Sequence, residues 1–183
     1  TSFESSELLD AWFQAHHSSE KELWVQIFKK ASGVPSVTVA DCIEVSLTWG
    51  WIDGLGRSFD KDSYLVRLTP RRPRSTWSKR NTAIAEALIA DGRMKPTGLA
   101  QVESAKTDGR WDRAYAGSAE MEIPSDFVAR LQDNPIAKLR YASLNRQSLF
   151  VIYLGLQTAR TLKLRTRRIE RYISKLETGE PLT

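Results

Sequence analysis

The chain has 183 residues, 41% of them hydrophobic and 27% charged, a balance that excludes a disordered or collagen-like chain and suits a soluble globular protein. That length allows one domain or two small ones, and a compact fold of this size buries about 70% of the unfolded chain's surface. The formal charge is +5 and the pI about 9.4, which favours acidic partners in general without choosing among them.

The single cysteine, Cys42, excludes an intrachain disulfide framework. Its apolar helical surroundings predict a buried, inert thiol. No run approaches the ~20 apolar residues that a membrane-spanning helix needs. The start, Thr1-Ser-Phe-Glu4, has neither a basic n-region nor an apolar h-region, so a cytoplasmic location is the expectation.

Leu8, Trp12 and Phe13 predict a short amphipathic first helix. Leu23-Trp-Val-Gln-Ile-Phe28 reads as a strand, and Gly33 to Pro35 as a turn. Thr38 is placed to cap a helix that runs to about Trp49, with Cys42, Ile43, Ser46 and Leu47 toward a core and Gly50 as its left-handed stop. Trp51 to Ser58 and Tyr64 to Thr69 read as a hairpin, with Gly54 and Gly56 marking a bulge or a close backbone approach. A helix is expected from about Trp77 to Asp91, and another from Pro96 to about Thr107. Gly117 to Glu122 reads as an acidic linker. Beyond it the pattern is helical throughout: starts at Ser125, Asn134, Asn145 and Thr161, and a stop at Gly179. The expected fold class is therefore α+β, a small antiparallel sheet flanked by helices followed by an all-helical C-terminal domain. The expected domains are 1–117, carrying the arginine-rich segment, and 123–183.

Thr69-Pro-Arg-Arg-Pro-Arg-Ser-Thr-Trp-Ser-Lys-Arg-Asn81 is the most informative stretch. From Ser63 to Ala85 there are six basic residues and no acid. Prolines stiffen such a path, and guanidinium groups present planar donors that match carboxylate or phosphate. Arg71, Arg72 and Arg74 also precede a helix start, whose dipole prefers anions by about 0.3–1 kcal/mol per exposed charge. Either an acid of the same protein neutralises them, for which Asp53 on the neighbouring hairpin is the candidate, or an exogenous phosphate, carboxylate or nucleic-acid backbone does, or they are plainly exposed at the surface. Ser75 or Ser78 is expected to cap the helix. Trp77, Asn81, Ile84 and Leu88 share one helix face, which makes Asn81 either a core amide or a ligand contact beside Trp77. The candidate anion or ligand site is thus Arg71, Arg72, Arg74, Ser75, Trp77, Ser78 and Asn81, with Asp53 and Arg67 orienting it.

No metal, cofactor or catalytic set is expected. His16 and His17 are adjacent and point apart on a helix. Gly54-Leu-Gly56 lacks the third glycine of a dinucleotide fingerprint. Asp53 remains a candidate acid or base for an enzyme acting on a small phosphorylated or carboxylated substrate. Between Lys138 and Arg171 there are nine basic residues and one acid, Glu170. Arg160, Arg165, Arg167 and Arg168 cluster there, so nucleic-acid binding through these helices is a further alternative. The expected partners are an anionic small molecule or an acidic protein, with the oligomeric state left open.

Several segments together resemble a known family. They are Leu23-Trp-Val25, Trp49-Gly-Trp-Ile-Asp-Gly54, Tyr64 to Arg67, Thr69 to Asn81 and Ile89 to Met94, then Leu144-Asn-Arg146, Gln157-Thr-Ala159, Thr166 to Ile169 and Leu176 to Gly179. The chain is similar in these to the YdeI/OmpD-associated proteins, also called bacteriocin-protection proteins. Leu55-Gly-Arg57 departs from the more polar residues of relatives. The resemblance implies a small α/β part followed by a helical one, and its name points to protection against bacteriocins or membrane-directed stress in bacteria; the expected role is that of a non-enzymatic anion- or partner-binding protein in stress or bacteriocin tolerance. It carries no reaction, cofactor or catalytic residue.

Overall fold

A computed structural model describes residues 1–182 of the chain. The fold is α+β, as the pattern predicts, and it divides into two compact units, Thr1–Asp112 and Arg113–Thr183. The first unit runs α1 (Ser6–His16), β1 (Leu23–Phe28), a 3-10 turn (Lys30–Ser32), α2 (Val39–Thr48), β2 (Trp51–Ser58), β3 (Ser63–Pro70), α3 (Lys79–Ala90) and α4 (Pro96–Thr107). The second holds α5 (Ser125–Gln132), α6 (Pro135–Ala142), α7 (Arg146–Gln157) and α8 (Leu162–Thr178).

The sheet is antiparallel throughout, in the order β1-β3-β2. β1 alternates buried and half-buried residues, the mark of a strand with one covered face. Leu23 pairs with Leu68 and Val25 with Val66. These side chains form one core with Leu9 and Phe13 of α1, Cys42 and Val45 of α2, and Trp51. Each such aliphatic or aromatic side chain contributes about 1.5–3 kcal/mol on burial. The pairing of β2 with β3 shifts register between Asp53 and Gly56, so the two glycines do mark a bulge.

Local signals set most helix ends. Thr38 and Asp41 form a reciprocal capping box on α2. Side chains of Ser78, Asn134, Asn145 and Thr161 each cap the helix that follows. Gly50, Gly92 and Gly179 take φ of 77°, 67° and 81° after α2, α3 and α8.

Three expectations need correction. The covered face of α1 is Leu9 with Phe13, while Leu8 is 52% exposed; the i, i+4 pair one residue on faces the sheet. α3 begins at Lys79, because Ser78 takes the extended cap conformation and Trp77 precedes it. Ser125 does not cap α5: the cap position is Pro124, without a side-chain bond, and Ser125 is already helical.

The second unit has its own core, with Phe127, Leu131, Ile152, Leu156, Ile169, Tyr172, Ile173 and Leu176 among its buried residues. Tyr172 lies against Gly155, where an added Cβ would overlap its hydroxyl, and it donates that hydroxyl to the Val151 carbonyl at 3.3 Å. All six tryptophans belong to the first unit.

Gly98 of α4 packs closely on the end of α2, since a Cβ there would overlap Met94 Sδ and stand 2.5 Å from the Thr48 carbonyl oxygen and 2.9 Å from that of Leu47. Alanine gains about 1 kcal/mol over glycine in an open helix interior, whereas overpacking against backbone costs about 1–3 kcal/mol. Gly98→Ala is therefore expected to destabilise the protein by about 1–2 kcal/mol in urea denaturation.

Candidate functional site

The register of the hairpin joins the two sequence motifs. Trp51 pairs with Pro70, so the Trp49–Gly54 segment lies beside the start of the arginine-rich one. The Arg71 amide donates to the Gly50 carbonyl at 3.1 Å. Gly50 is required twice over: its φ is 77°, and a Cβ would lie 2.8 Å from the Thr97 carbonyl oxygen. The flanking tryptophans are fixed by α1 and the residue after it. Trp49 donates its indole N–H to Asp10 Oδ1 at 2.7 Å, and its ring meets His17 at 4.5 Å. Trp51 donates to the His17 carbonyl at 3.2 Å and packs edge-on against Phe13. His17 in turn donates Nδ1–H to the Phe13 carbonyl at 2.8 Å. A small cleft of about 180 Å³ opens at this junction, lined by His17, Trp49, Arg71 and Gln101 among others.

Arg71 is buried, 6% exposed. Its guanidinium carbon lies 3.5 Å from the Trp77 ring centroid, and Nη1 donates to the Thr76 carbonyl at 3.2 Å. The ring face compensates part of the desolvation of the charge, an interaction of about 2 kcal/mol when water is excluded. Trp77 is 2% exposed and rests against Trp111, with ring centroids 4.9 Å apart. Its Nε1 is buried with no hydrogen-bond partner among the described residues, so its two faces, rather than its N–H, set its place.

The chain then turns outward. The Ser75 amide donates to the Arg72 carbonyl at 2.9 Å, and the Arg72 amide donates to Ser75 Oγ at 3.0 Å. Pro73 supplies the fixed φ of the turn's second position. Ser75 thus closes this turn, while Ser78 Oγ accepts the Asn81 amide at 3.1 Å and caps α3. Arg72, Arg74, Lys79 and Arg80 are all exposed, and the first turn of α3 holds no acid. Four exposed cations therefore fall between residues 72 and 80, on the loop and first turn of a helix whose end is itself positive.

Asp53 and Arg67 stand elsewhere. Asp53 shares the Trp51 face of β2, pairs with Leu68 and lies near Cys42. Arg67 projects from the opposite face and pairs with Glu22, Nε to Oε2 at 2.7 Å. The fold thus brings together Arg71, Arg72, Arg74, Ser75, Trp77, Ser78 and Asn81 along one loop and helix start. It puts Arg71, Trp77 and Asn81 inside, with Arg72 and Arg74 outside.

Sequence reasoning did not find Arg110, which holds this loop from within. It is 7% exposed; Nη1 donates to the Ser75 carbonyl at 2.9 Å, Nε to Asp108 at 2.7 Å and Nη2 to Ser104 Oγ at 3.0 Å. The only local signal is Asp108-Gly-Arg110 after α4; the contact with Ser75 spans 35 residues and leaves no periodic trace.

In the second unit the arginines close helix ends. Arg140 Nη1 donates to the Leu176 and Glu177 carbonyls at the end of α8, at 3.1 and 3.0 Å. Arg165 donates to the Leu156 carbonyl at 3.0 Å and pairs with Asp126. Arg168 reaches the Gly155 carbonyl and Thr158 Oγ1. The hydrogen bond and charge of Arg165 hold the Asp126 carboxyl below the usual carboxylate range, so this pair stabilises at neutral pH and is lost as pH falls through the lowered pKa. Among the described residues no group of three or more His, Cys, Asp or Glu side chains could hold a metal ion, and no helix is long and apolar enough to cross a membrane.

Two outcomes follow. Arg71→Ala is expected to cost about 2–4 kcal/mol of stability, through the lost ring contact and the hydrogen bond of the charge. Arg72→Ala is expected to stay within about 0.5 kcal/mol, since only the Arg72 backbone joins the turn; urea denaturation of both variants checks the contrast. Burial pushes the Cys42 thiol up to about 12, assisted by the charges of Asp41 and Asp53. Its folded pKa is raised, so stability is full below the unfolded thiol pKa and declines as pH rises toward 12. At pH about 8 an aromatic disulfide reagent is expected to leave Cys42 unmodified until denaturant is added.

Residues 1–101 match the model of a domain of unknown function, DUF8412. Residues 120–179 match that of the bacteriocin-protection, YdeI or OmpD-associated proteins. No curated protein and no solved structure matches the chain. The resemblance to the YdeI/OmpD-associated proteins is therefore shown over residues 120–179, while the Trp49–Gly54 and Thr69–Asn81 motifs lie in the part that matches the other model. Because the first of these models matches more than half of its length, the chain belongs to the DUF8412 family, and its residues 120–179 are similar to the YdeI/OmpD-associated proteins.

Proposed function

We propose that this is a non-enzymatic protein that binds an anion or an acidic partner, acting in bacterial stress or bacteriocin tolerance in the cytoplasm. The observation that carries the reading is the exposed quartet Arg72, Arg74, Lys79 and Arg80 on the loop and first turn that open α3, a turn that holds no acid. Arg72 and Arg74 make the contact. Arg71, Ser75, Trp77, Ser78 and Asn81 give the loop its shape, and Arg110 braces it. A preformed loop orders fewer side chains on binding and so loses less entropy.

An enzyme using Asp53 has less support, because that carboxylate does not share the loop of the arginines. Nucleic-acid binding by the C-terminal helices is disfavoured by the internal use of Arg165 and Arg168.

The test is titration with pyrophosphate and with a poly-glutamate peptide at low and high salt, followed by calorimetry. Arg72→Ala combined with Arg74→Ala is expected to weaken binding about tenfold or more, since hydrogen bonds to charged groups contribute about 1.5–3 kcal/mol. The melting temperature of Arg72→Ala alone should hardly change. Unaltered affinity in the double variant would sink the reading, and a preference for one probe separates a small anion from an acidic protein.

A further inference from the structure

The 3-10 turn after β1 and the strand β3 border a second cleft, remote in residues from the arginine loop. It measures about 690 Å³, within the range of about 300–1,000 Å³ usual for small-molecule sites. Ile27 and Tyr64, cross-strand partners in the sheet, and Val37, 2% exposed, give it an apolar floor. Val34, 48% exposed, and Pro35 form a wall.

This wall is held in place. The Phe28 amide donates to Ser36 Oγ at 3.0 Å, the Val34 amide to Ser32 Oγ at 3.2 Å and the Val37 amide to the Phe3 carbonyl at 2.9 Å. Gly33 turns the chain at φ 71°, with open space where a Cβ would stand.

The charge on the cleft has one sign. Lys29 and Lys30 line it and no acid does. Lys29 donates Nζ to the Lys61 carbonyl at 2.7 Å and acts on Asp60 through its charge. Lys30 is exposed and has no ion-pair partner among the described residues. Asp41, in the first turn of α2, has its carboxylate turned back onto Thr38, whose amide and hydroxyl both donate to it at 2.8 Å. By contrast, the cleft lined by Glu7, Asp10, Arg93 and Lys95 mixes both signs and selects no charge.

We infer that the cleft of Ile27, Val34, Val37 and Tyr64 binds a small amphipathic anion, its apolar body on the floor and its carboxylate or sulfonate head on Lys30. An apolar floor without the lysine would take neutral ligands as well; the lysine without the floor would bind no better than any surface cation.

The probe is anilinonaphthalene sulfonate, followed by its fluorescence with the full chain, and decanoate is the competitor. One saturable site is expected, displaced by decanoate and not by inorganic phosphate at equal concentration. Lys30→Glu and Val34→Glu are each expected to weaken the probe at least about fivefold, the former by reversing the charge at the head and the latter by placing one against the body. Both residues are exposed, so the melting temperature should be retained. Lys163→Glu on α8, with the same change of charge, is expected to leave binding as it was. Absence of a saturable site, unchanged affinity in both cleft variants, an equal loss in Lys163→Glu, or displacement by phosphate as readily as by decanoate would each overturn the inference.

Discussion

The first unit depends on a cation kept away from water. Arg71 sits at the end of β3, its amide on the Gly50 carbonyl and its guanidinium flat on Trp77. A buried charge is tolerated only where something replaces its hydration. Here an indole face and a peptide carbonyl contribute. The residue therefore ties the corner after α2 to the ring just ahead of α3, and the path between them is constrained at both ends. Within that path the proline turn sends Arg72 and Arg74 outward. One arginine shapes the loop and its neighbours face solvent, although the three read alike in sequence.

The same side chain has a different use in the second unit. Helix ends leave carbonyls without intrahelical donors, and Arg140, Arg165 and Arg168 supply donors at the ends of α7 and α8. Arg130 adds a two-pronged pair with Glu170 across α5 and α8. Formal charge thus overstates what this unit offers a partner. A lysine at these places would keep the charge but lose the fork that reaches two acceptors together.

What was legible in the sequence follows range. The caps at Thr38, Asn145 and Thr161 depend on three or four consecutive residues, and so they could be read, whereas at α3 Ser75 and Ser78 fitted the same pattern and only the fold chooses Ser78. The bulge at Gly54 and Gly56 was legible for the same reason, as was the burial of Cys42. The exposed Leu8 and the helical Ser125 were misread because a neighbour one position away satisfied the same pattern and packing chose between them. In the arginine loop no period exists to separate inside from outside. Trp77, held in place by Trp111 from beyond the segment, covers Arg71, and Arg110, also from beyond it, braces the loop. The position of Asp53 was out of reach as well, since the bulge beside it and the face of Trp51 fix its direction.

The distribution of aromatic residues gives the two units separate optical signatures. Every tryptophan lies in Thr1–Asp112, and four of the five tyrosines lie in Arg113–Thr183. With Trp51 and Trp77 almost wholly covered, a red shift of tryptophan emission reports loss of the first unit alone. The helical ellipticity of α5 to α8 adds a signal to which tryptophan is blind. Comparing the two transitions in one denaturation series measures, without any label, whether the first unit and the second unfold as one cooperative body or as two.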